Sequence, residues 1–426
     1  MLKKERIIIV LLAAINFTHI LDFMIMMPLG NYLMPFFDIS PKQFSFLVGS
    51  YPVTAFLSGF AAAFFVDKYD RKKVLVFAYV GFLVGTIACG FAPTYTLLLG
   101  ARILTGLFGG LISAQVMSII ADLFGYERRG AAMGAVMSAF AIASTIGVPF
   151  SLYLSNIFTW HAPFILVGVL GVIVVPLIIR FIPSMSGHKQ EENEDDHPLQ
   201  VLLNVIQSRE QRFALLFSAL LMMGHFLIIP FINPYMEFNK GYTKDQTPMI
   251  YLFGGIASFV SAIALGRYSD KVGKLRVFSY SVIFSFIMVW FITNMPVLPF
   301  SLVLVFFAIW FILATGRAVT AQAMISNVVK PEQRGSFMSF NSSVQQLGTA
   351  IASFVAGYVV TKDNTGKLLR YEWVGYLSIL VLLLGLLLGR YLFAGMDKKE
   401  VVNPLSSIPD TPGEPVSDLV GSDKQN

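Results

Sequence analysis

Asp22 stands in an otherwise apolar run, Ile20-Leu21-Asp22-Phe23-Met24-Ile25-Met26-Met27-Pro28-Leu29, and Arg102 opens another, Arg102-Ile103-Leu104-Thr105-Gly106. An acid and a guanidinium in such surroundings suit proton exchange. Loss of water favours the neutral form of a carboxyl group, whereas a nearby guanidinium favours the charged form. A movement that separates the two, or a solute that competes for them, therefore shifts a proton. A static buried salt bridge is the plain alternative for the same residues. His19 lies one helical turn before Asp22 and could share its proton, or could serve as a structural histidine.

Other polar residues within apolar stretches are candidates to line a cavity: Gln115, His225, Asn233, Arg317, Gln322, Asn341 and Gln345. Asn341 and Gln345 are i,i+4 neighbours on one helix face. His225 is followed by Pro230, Asn233 and Pro234, a pattern that predicts a broken helix end able to gate. A few of the 39 Phe and 18 Met could form an adaptable apolar pocket. No Walker-type loop, Cys/His metal constellation or His-Glu-x-x-His is present, so an ATP-driven pump and an intramembrane metalloprotease are both disfavoured. No enzyme activity, metal or cofactor is expected, and a proton gradient is the expected energy source.

These residues must be positioned by membrane-spanning helices. Hydrophobic residues make up 56% of the 426 positions and charged residues 13%, and the mean hydropathy is +0.70. A soluble domain carries about 25% charged residues. The net charge of +6 sits in short clusters between apolar runs and is no nucleic-acid signal. One cysteine, Cys89, excludes an internal disulfide. Lys3-Lys4-Glu5-Arg6 and the apolar run after it resemble a signal peptide, but the run continues past twenty residues without a cleavage site and reads as a retained first helix.

A span needs about 20 mostly apolar residues, and twelve are predicted: 7–34, 44–66, 74–92, 95–123, 131–155, 162–182, 212–236, 247–267, 275–294, 298–327, 335–361 and 372–394. With this layout, 23 of the 31 Lys and Arg fall on the side of the N-terminus, 6 on the other, and Arg102 and Arg317 inside helices. The positive-inside bias therefore puts both termini in the cytoplasm. Asp22 then lies about fifteen residues, roughly 22 Å, from the cytoplasmic end of its helix, near mid-membrane. Ionisable groups there are costly and usually functional.

The domain reading is an N-terminal six-helix bundle (1–182), a cytoplasmic linker (183–211), a C-terminal six-helix bundle (212–394) and a disordered cytoplasmic tail (395–426). The linker holds Glu191-Glu192-Asn193-Glu194-Asp195-Asp196, and the spacing of Leu199, Leu202, Leu203 and Ile206 suits a short interfacial helix. The two halves repeat each other. Phe65-Val66-Asp67-Lys68 recurs as Tyr268-Ser269-Asp270-Lys271, Ala114-Gln115-Val116-Met117 as Ala321-Gln322-Ala323-Met324, and Arg129-Gly130 as Arg334-Gly335, at offsets of 203, 207 and 205. Nearly constant offsets indicate a duplication. Twin bundles imply a substrate site between the halves near mid-membrane.

The chain at this point resembles the major facilitator superfamily over roughly residues 7–394. The carrying match is Gly266-Arg267-Tyr268-Ser269-Asp270-Lys271-Val272-Gly273-Lys274-Leu275-Arg276, which fits the family's loop of Gly, Asp, a basic residue, Gly and further basic residues. The first-half copy, Ala63-Phe64-Phe65-Val66-Asp67-Lys68-Tyr69-Asp70-Arg71-Lys72-Lys73, keeps the Asp and the basic run but replaces both glycines. The resemblance implies a conformational latch built on Asp67, Arg71, Asp270, Lys271, Gly266 and Gly273. Orientation charges alone are the plain alternative for the basic residues. The Asp22 segment is similar to the first helix of sugar-efflux and multidrug proton antiporters, and Arg102 followed by Gly106 is similar to the family's helix 4 pattern. Gly147-Val148-Pro149 resembles the helix 5 signature of sugar-efflux members, with Val148 interrupting the common form; tight helix packing explains the same residues.

The expectation is an all-α membrane protein, a monomer of the cell membrane whose partners are the lipid bilayer and a small-molecule substrate. It would export a drug-like or sugar-like solute against protons, with Asp22, Arg102 and His19 as the coupling group. An importing symporter or facilitator of the same fold and a non-transporting membrane sensor are the alternatives.

Overall fold

The protein, seen in a computed structural model, is described over residues 3–65, 69–124, 126–185, 207–329 and 334–395. Over these residues it is all-α apart from one small hairpin, Thr361–Lys362 paired with Leu368–Leu369. The first half holds α1 (Lys3–Ile25), α2 (Gly30–Phe36), α3 (Pro41–Phe65), α4 (Arg71–Gly90), α5 (Tyr95–Leu123), α6 (Tyr126–Ile142), α7 (Val148–Ile157) and α8 (Ala162–Phe181). The second holds α9 (Arg209–Phe226), α10 (Thr247–Val272), α11 (Lys274–Asn294), α12 (Phe300–Ser326), α13 (Arg334–Val359) and α14 (Tyr371–Phe393). Among the described residues, eleven helical segments are long and apolar enough to cross a bilayer. The 26-residue α13 falls outside that set because Asn341, Ser342, Ser343, Gln345 and Gln346 lower its hydropathy. Apolar side chains such as Val169, Ile173, Phe259, Ile263, Leu383 and Leu387 lie exposed on the outer helix faces, as lipid solvent permits and water does not.

Three expected spans are not continuous helices. The run 7–34 breaks after Ile25 into a turn over 26–29 that contains Pro28. The run 212–236 stops at Phe226 and continues through a 3₁₀ turn, Ile229–Phe231, to a π turn, Tyr235–Asn239, around Pro230 and Pro234. Between α6 and α7 lies a π stretch, Ala143–Gly147. Each break adjoins a proline, which lacks the amide donor and crowds the preceding turn. The span 95–123 agrees with α5 to the residue.

The halves meet along two lines: α3 lies against α13, and α10 lies against the π stretch and α7. These contacts interchange if the halves are exchanged, since α3 and α10 are the second spans of their halves, and α7 and α13 belong to the fifth. At the second line, a Cβ on Gly255 would run into the backbone of Thr145. Such close approach of small residues is how helices associate without water to drive them together.

The end where α1 begins is termed near, the opposite end far. One buried apolar cluster draws on both halves at the far side, joining Met26, Leu33 and Phe44 to Phe231, Ile250 and Trp310. Toward the near end it gives way to separate clusters, one around Leu12, Phe82 and Ile119, the other around Phe217, Phe278 and Met324. Among the described residues Phe60 of α3 crosses, packing against the second-half cluster with its ring 6.2 Å from that of Phe340.

Candidate functional site

α1 is fixed in depth and rotation by polar contacts to its own half. Asn16 Nδ2 donates to the Val136 carbonyl at 3.1 Å, and the Thr18 and Tyr79 hydroxyls lie 2.9 Å apart. One turn further on, Asp22 meets Arg102 of α5. Nη1 donates to Oδ2 at 2.7 Å and approaches the Asp22 carbonyl at 3.4 Å. Both side chains have 0% exposure. The Tyr51 ring of α3 faces the guanidinium, with Cζ 4.8 Å from its centroid. Among the described residues, Asp22 Oδ1, Arg102 Nε and Nη2, and the Tyr51 hydroxyl make no hydrogen bond within 3.5 Å, although Thr86 lies beside Asp22 and Cys89 beside Arg102. The pair is thus neutral as a whole, tightly held, and left with capacity for more hydrogen bonds.

His19 is buried at 5% exposure, and among the described residues both ring nitrogens lack partners. Its ring packs tilted at 6.0 Å from Tyr51 and edge-on at 6.1 Å from Phe82, and it makes no hydrogen bond to Asp22 in this arrangement. Gln115, also on α5, is fully buried with both amide atoms unpartnered.

The second half builds a related arrangement. Arg317 of α12 lies 2.7 Å by Nη2 from Nδ1 of His225 on α9, and the His225 ring stacks on Trp310 at 5.1 Å and 27°. His225 is offset from Asp22 by 203 residues, like Asp270 from Asp67, so Asp22-Phe23 corresponds to His225-Phe226. The two equivalent phenylalanines meet between the halves, with centroids 6.0 Å apart. Phe23 also touches Tyr51 at 5.3 Å. An aromatic path thus links Arg102 through Tyr51, Phe23 and Phe226 to His225.

The other cavity candidates divide. Asn341 is 1% exposed with Oδ1 unpartnered. Gln345 Nε2 donates to Ser218 Oγ at 2.8 Å and ties α13 to α9. Gln322 is exposed on α12. Asn233 belongs to the far end instead: its Nδ2 donates to the Pro28 carbonyl at 2.9 Å, so the two broken helices clasp each other. Beside it Asn31 Nδ2 donates to Glu237 Oε1 at 2.6 Å, and Asn156 Nδ2 donates to the Lys244 carbonyl at 2.7 Å. Tyr32 donates to Asn156, and the Lys244 ammonium covers the Tyr32 ring at 4.5 Å. Sequence reading missed Asn31, Glu237, Asn156 and Tyr51, which lie near turns or among common polar residues; the 203-residue offset was the available signal for Phe23 and Phe226.

At the near end, Gly273 has φ +110°, ψ +133°, and links α10 to α11 where L side chains are strained. Gly266 precedes it on α10 and accepts at its carbonyl from Ser269 Oγ, 2.7 Å. Asp270 meets Lys274 at 3.4 Å, and Lys271 is exposed. Asp67 lies outside the described residues, as do 191–206 of the linker and 396–426 of the tail. Arg71 pairs with Asp122 at the end of α5, 2.9 Å. Asp70, standing where the family loop has glycine, caps α4 by accepting from the Lys73 amide at 3.0 Å, and also accepts from Ser184 Oγ and the Met185 amide. Burial pushes its carboxyl up, but these hydrogen bonds outweigh it and hold it below the usual carboxylate value. A Cβ on Gly147 would lie 2.7 Å from Leu21 Cδ1, one residue before Asp22. Pro149 is buried at the start of α7. The helix 5 signature therefore seats the Asp22 segment.

Two shallow recesses lie elsewhere. One, about 430 Å³, lies between α3 and α5 beside Leu57 and Phe108; the other, about 510 Å³, lies at the far end between Asp38–Ser40 and the 362–366 turn. Among the described residues no group of three or more His, Cys, Asp or Glu could hold a metal.

The Major Facilitator Superfamily model matches residues 12–319 and again 214–417, and the chain belongs to that family. It is 20% identical to the uncharacterized MFS-type transporter YceJ of Bacillus subtilis (strain 168), over 79% of this chain and 85% of that protein. It is 27% identical to the purine ribonucleoside efflux pump NepI of Salmonella paratyphi B (strain ATCC BAA-1250 / SPB7), over 50% of this chain and 52% of that one. In fold it is similar to a bacterial homolog of the human lysosomal transporter Spinster, in an inward-facing and occupied conformation, with a TM-score of 0.73 and 13% identity over 95% of this chain and 100% of that one. The fold and family make it an integral membrane protein of a transporter family.

Proposed function

We propose that the protein is a proton-coupled exporter of a small organic solute, working by alternating access as a monomer in the cell membrane. In this reading α13 is the twelfth span, the near end is cytoplasmic, and Asp22 carries the coupling proton. The observation that carries it is the Asp22–Arg102 pair, wholly buried beside the meeting line of the halves, with unpartnered atoms on both residues. Ionisable groups at that depth are seldom retained for packing alone.

Alternation has a physical basis in the asymmetry of the core. The far end is clasped by Asn233–Pro28, Asn31–Glu237 and Asn156–Lys244, while the near-end apolar clusters are separate. Rocking about the α3–α13 and α10–α7 lines would break the far contacts and close the near end. Because α1 ends at Ile25, one turn beyond Asp22, in the turn that holds Pro28, far-end movement acts directly on the segment bearing the carboxylate. Arg102 then competes with a proton for Asp22, and its release accompanies protonation.

The test is flux in proteoliposomes with an imposed proton gradient, following radiolabelled nucleosides, sugars and drug-like cations. Solute movement opposite to protons that Asp22→Asn abolishes is expected. Gradient-driven export undiminished in Asp22→Asn would remove the coupling role, and movement in the same direction as protons would make the protein an importer.

A further inference from the structure

Arg317 is 3% exposed, and its Nη1 has no partner among the described residues. Among the described residues, the side chain hydrogen-bonded to the guanidinium is that of His225, at 2.7 Å. An arginine N–H can only donate, so His225 Nδ1 accepts, and the imidazole at that contact is neutral. Among the described residues no carboxylate pairs with Arg317, whereas Arg102, the other intramembrane arginine, has Asp22. Among the described residues, the second half therefore holds a buried positive charge with no carboxylate to neutralise it. Leaving such a charge unmatched in low dielectric is costly.

We infer that Arg317 and His225 form an anion-binding subsite that receives an oxyanion, a carboxylate or phosphate, borne by an organic solute with an apolar or aromatic body. A guanidinium with free donors presents the fork geometry that oxyanions prefer. Trp310 stacks on His225, and Phe226 lies beside it at 5.4 Å, so an apolar body next to the anion would find aromatic faces rather than water. The site stands at the pseudo-symmetric counterpart of Asp22. The solute's anion and the Asp22 carboxylate would then occupy equivalent places, each against an arginine from the fourth span of its half. This inference rests on the transporter reading and adds the substrate's charge class to it.

Equilibrium dialysis of the purified full chain against radiolabelled 2-naphthoate, 2-naphthyl phosphate, 2-naphthamide and 2-naphthylmethylammonium tests it, without a proton gradient. Saturable binding of at least one anion is expected, with the amide and the ammonium at least about tenfold weaker. Comparison of carboxylate with phosphate identifies the preferred oxyanion. Arg317→Gln should weaken anion binding at least about tenfold, and Arg317→Lys should retain part of it. Equal binding of anion and amide, no saturable anion binding, or wild-type affinity in folded Arg317→Gln would overturn the inference. Should Arg317→Gln fail to fold, the anion-to-amide ratio in the wild type and Arg317→Lys still decides. Anion binding that persists while gradient-driven flux is absent counts against the coupling reading alone; anion-blind binding with intact flux counts against this inference alone.

Discussion

Removing either member of the Asp22–Arg102 pair should cost far more than removing both. At an effective dielectric near 20, unit charges at the 2.7 Å separation seen here attract by about 6 kcal/mol. Desolvation of two ions opposes this by several kcal/mol each, so the intact pair contributes little net stability. A lone survivor, however, keeps its desolvation cost without the attraction, and loss of one partner from a buried pair costs about 3–5 kcal/mol. Asp22→Leu and Arg102→Met should therefore each lower the unfolding midpoint in detergent by roughly 6–10 °C, taking about 2 °C per kcal/mol. The double variant, with no buried charge and similar volume, should unfold within about 2 °C of the wild type or above it. The assay is a thermal unfolding cycle on the four proteins, with flux measured in parallel; the double variant should be stable but uncoupled. A double variant that loses the sum of the single losses would refute the argument, since it would mean that each residue packs independently.

Three further outcomes follow from named contacts. Gly273→Ala forces a side chain into φ +110° and should cost about 1–3 kcal/mol in thermal unfolding; an unchanged midpoint would show that the turn relaxes freely. Asp70→Ala removes the α4 cap and should cost about 1 kcal/mol at neutral pH. Because the folded Asp70 carboxyl lies below its unfolded value, its contribution is complete above the unfolded value of about 4 and fades as pH falls through the lower folded value. The gap between wild type and Asp70→Ala, followed by denaturation from pH 7 to pH 3, should therefore narrow only below about pH 4, and a constant gap would contradict this account. Asn31→Ala with Asn233→Ala removes two far-end hydrogen bonds worth about 1 kcal/mol each, so a reporter cysteine at Phe44, which faces Phe231 at 5.8 Å, should react with maleimide roughly thirtyfold faster. Native Cys89 is buried and gives low background; no change in reactivity would show that the clasp does not govern opening.

Much of the molecule can be read from residue order alone. Apolar run lengths give the helices within a few residues because a bilayer demands about 20 apolar residues and full internal hydrogen bonding of any span. The same demand makes Asp22, Arg102 and Arg317 conspicuous, since charge is scarce at that depth, and prolines mark the breaks after Ile25 and Phe226. What runs of residues do not contain is helix rotation. Whether Gln115 or Gln322 turns inward depends on neighbouring packing, and here the first is fully buried and the second exposed. Likewise, Asn233 appeared suited to a solute site, yet folding sets it against the Pro28 carbonyl. The far-end clasp joins residues about 200 positions apart, and neutral polar side chains such as Asn31 and Asn156 carry no mark in sequence of the partner they will meet. Only the tertiary structure decided that Arg102 has a carboxylate and Arg317 a neutral imidazole, because which charge is cancelled depends on side-chain reach in three dimensions and not on spacing along the chain.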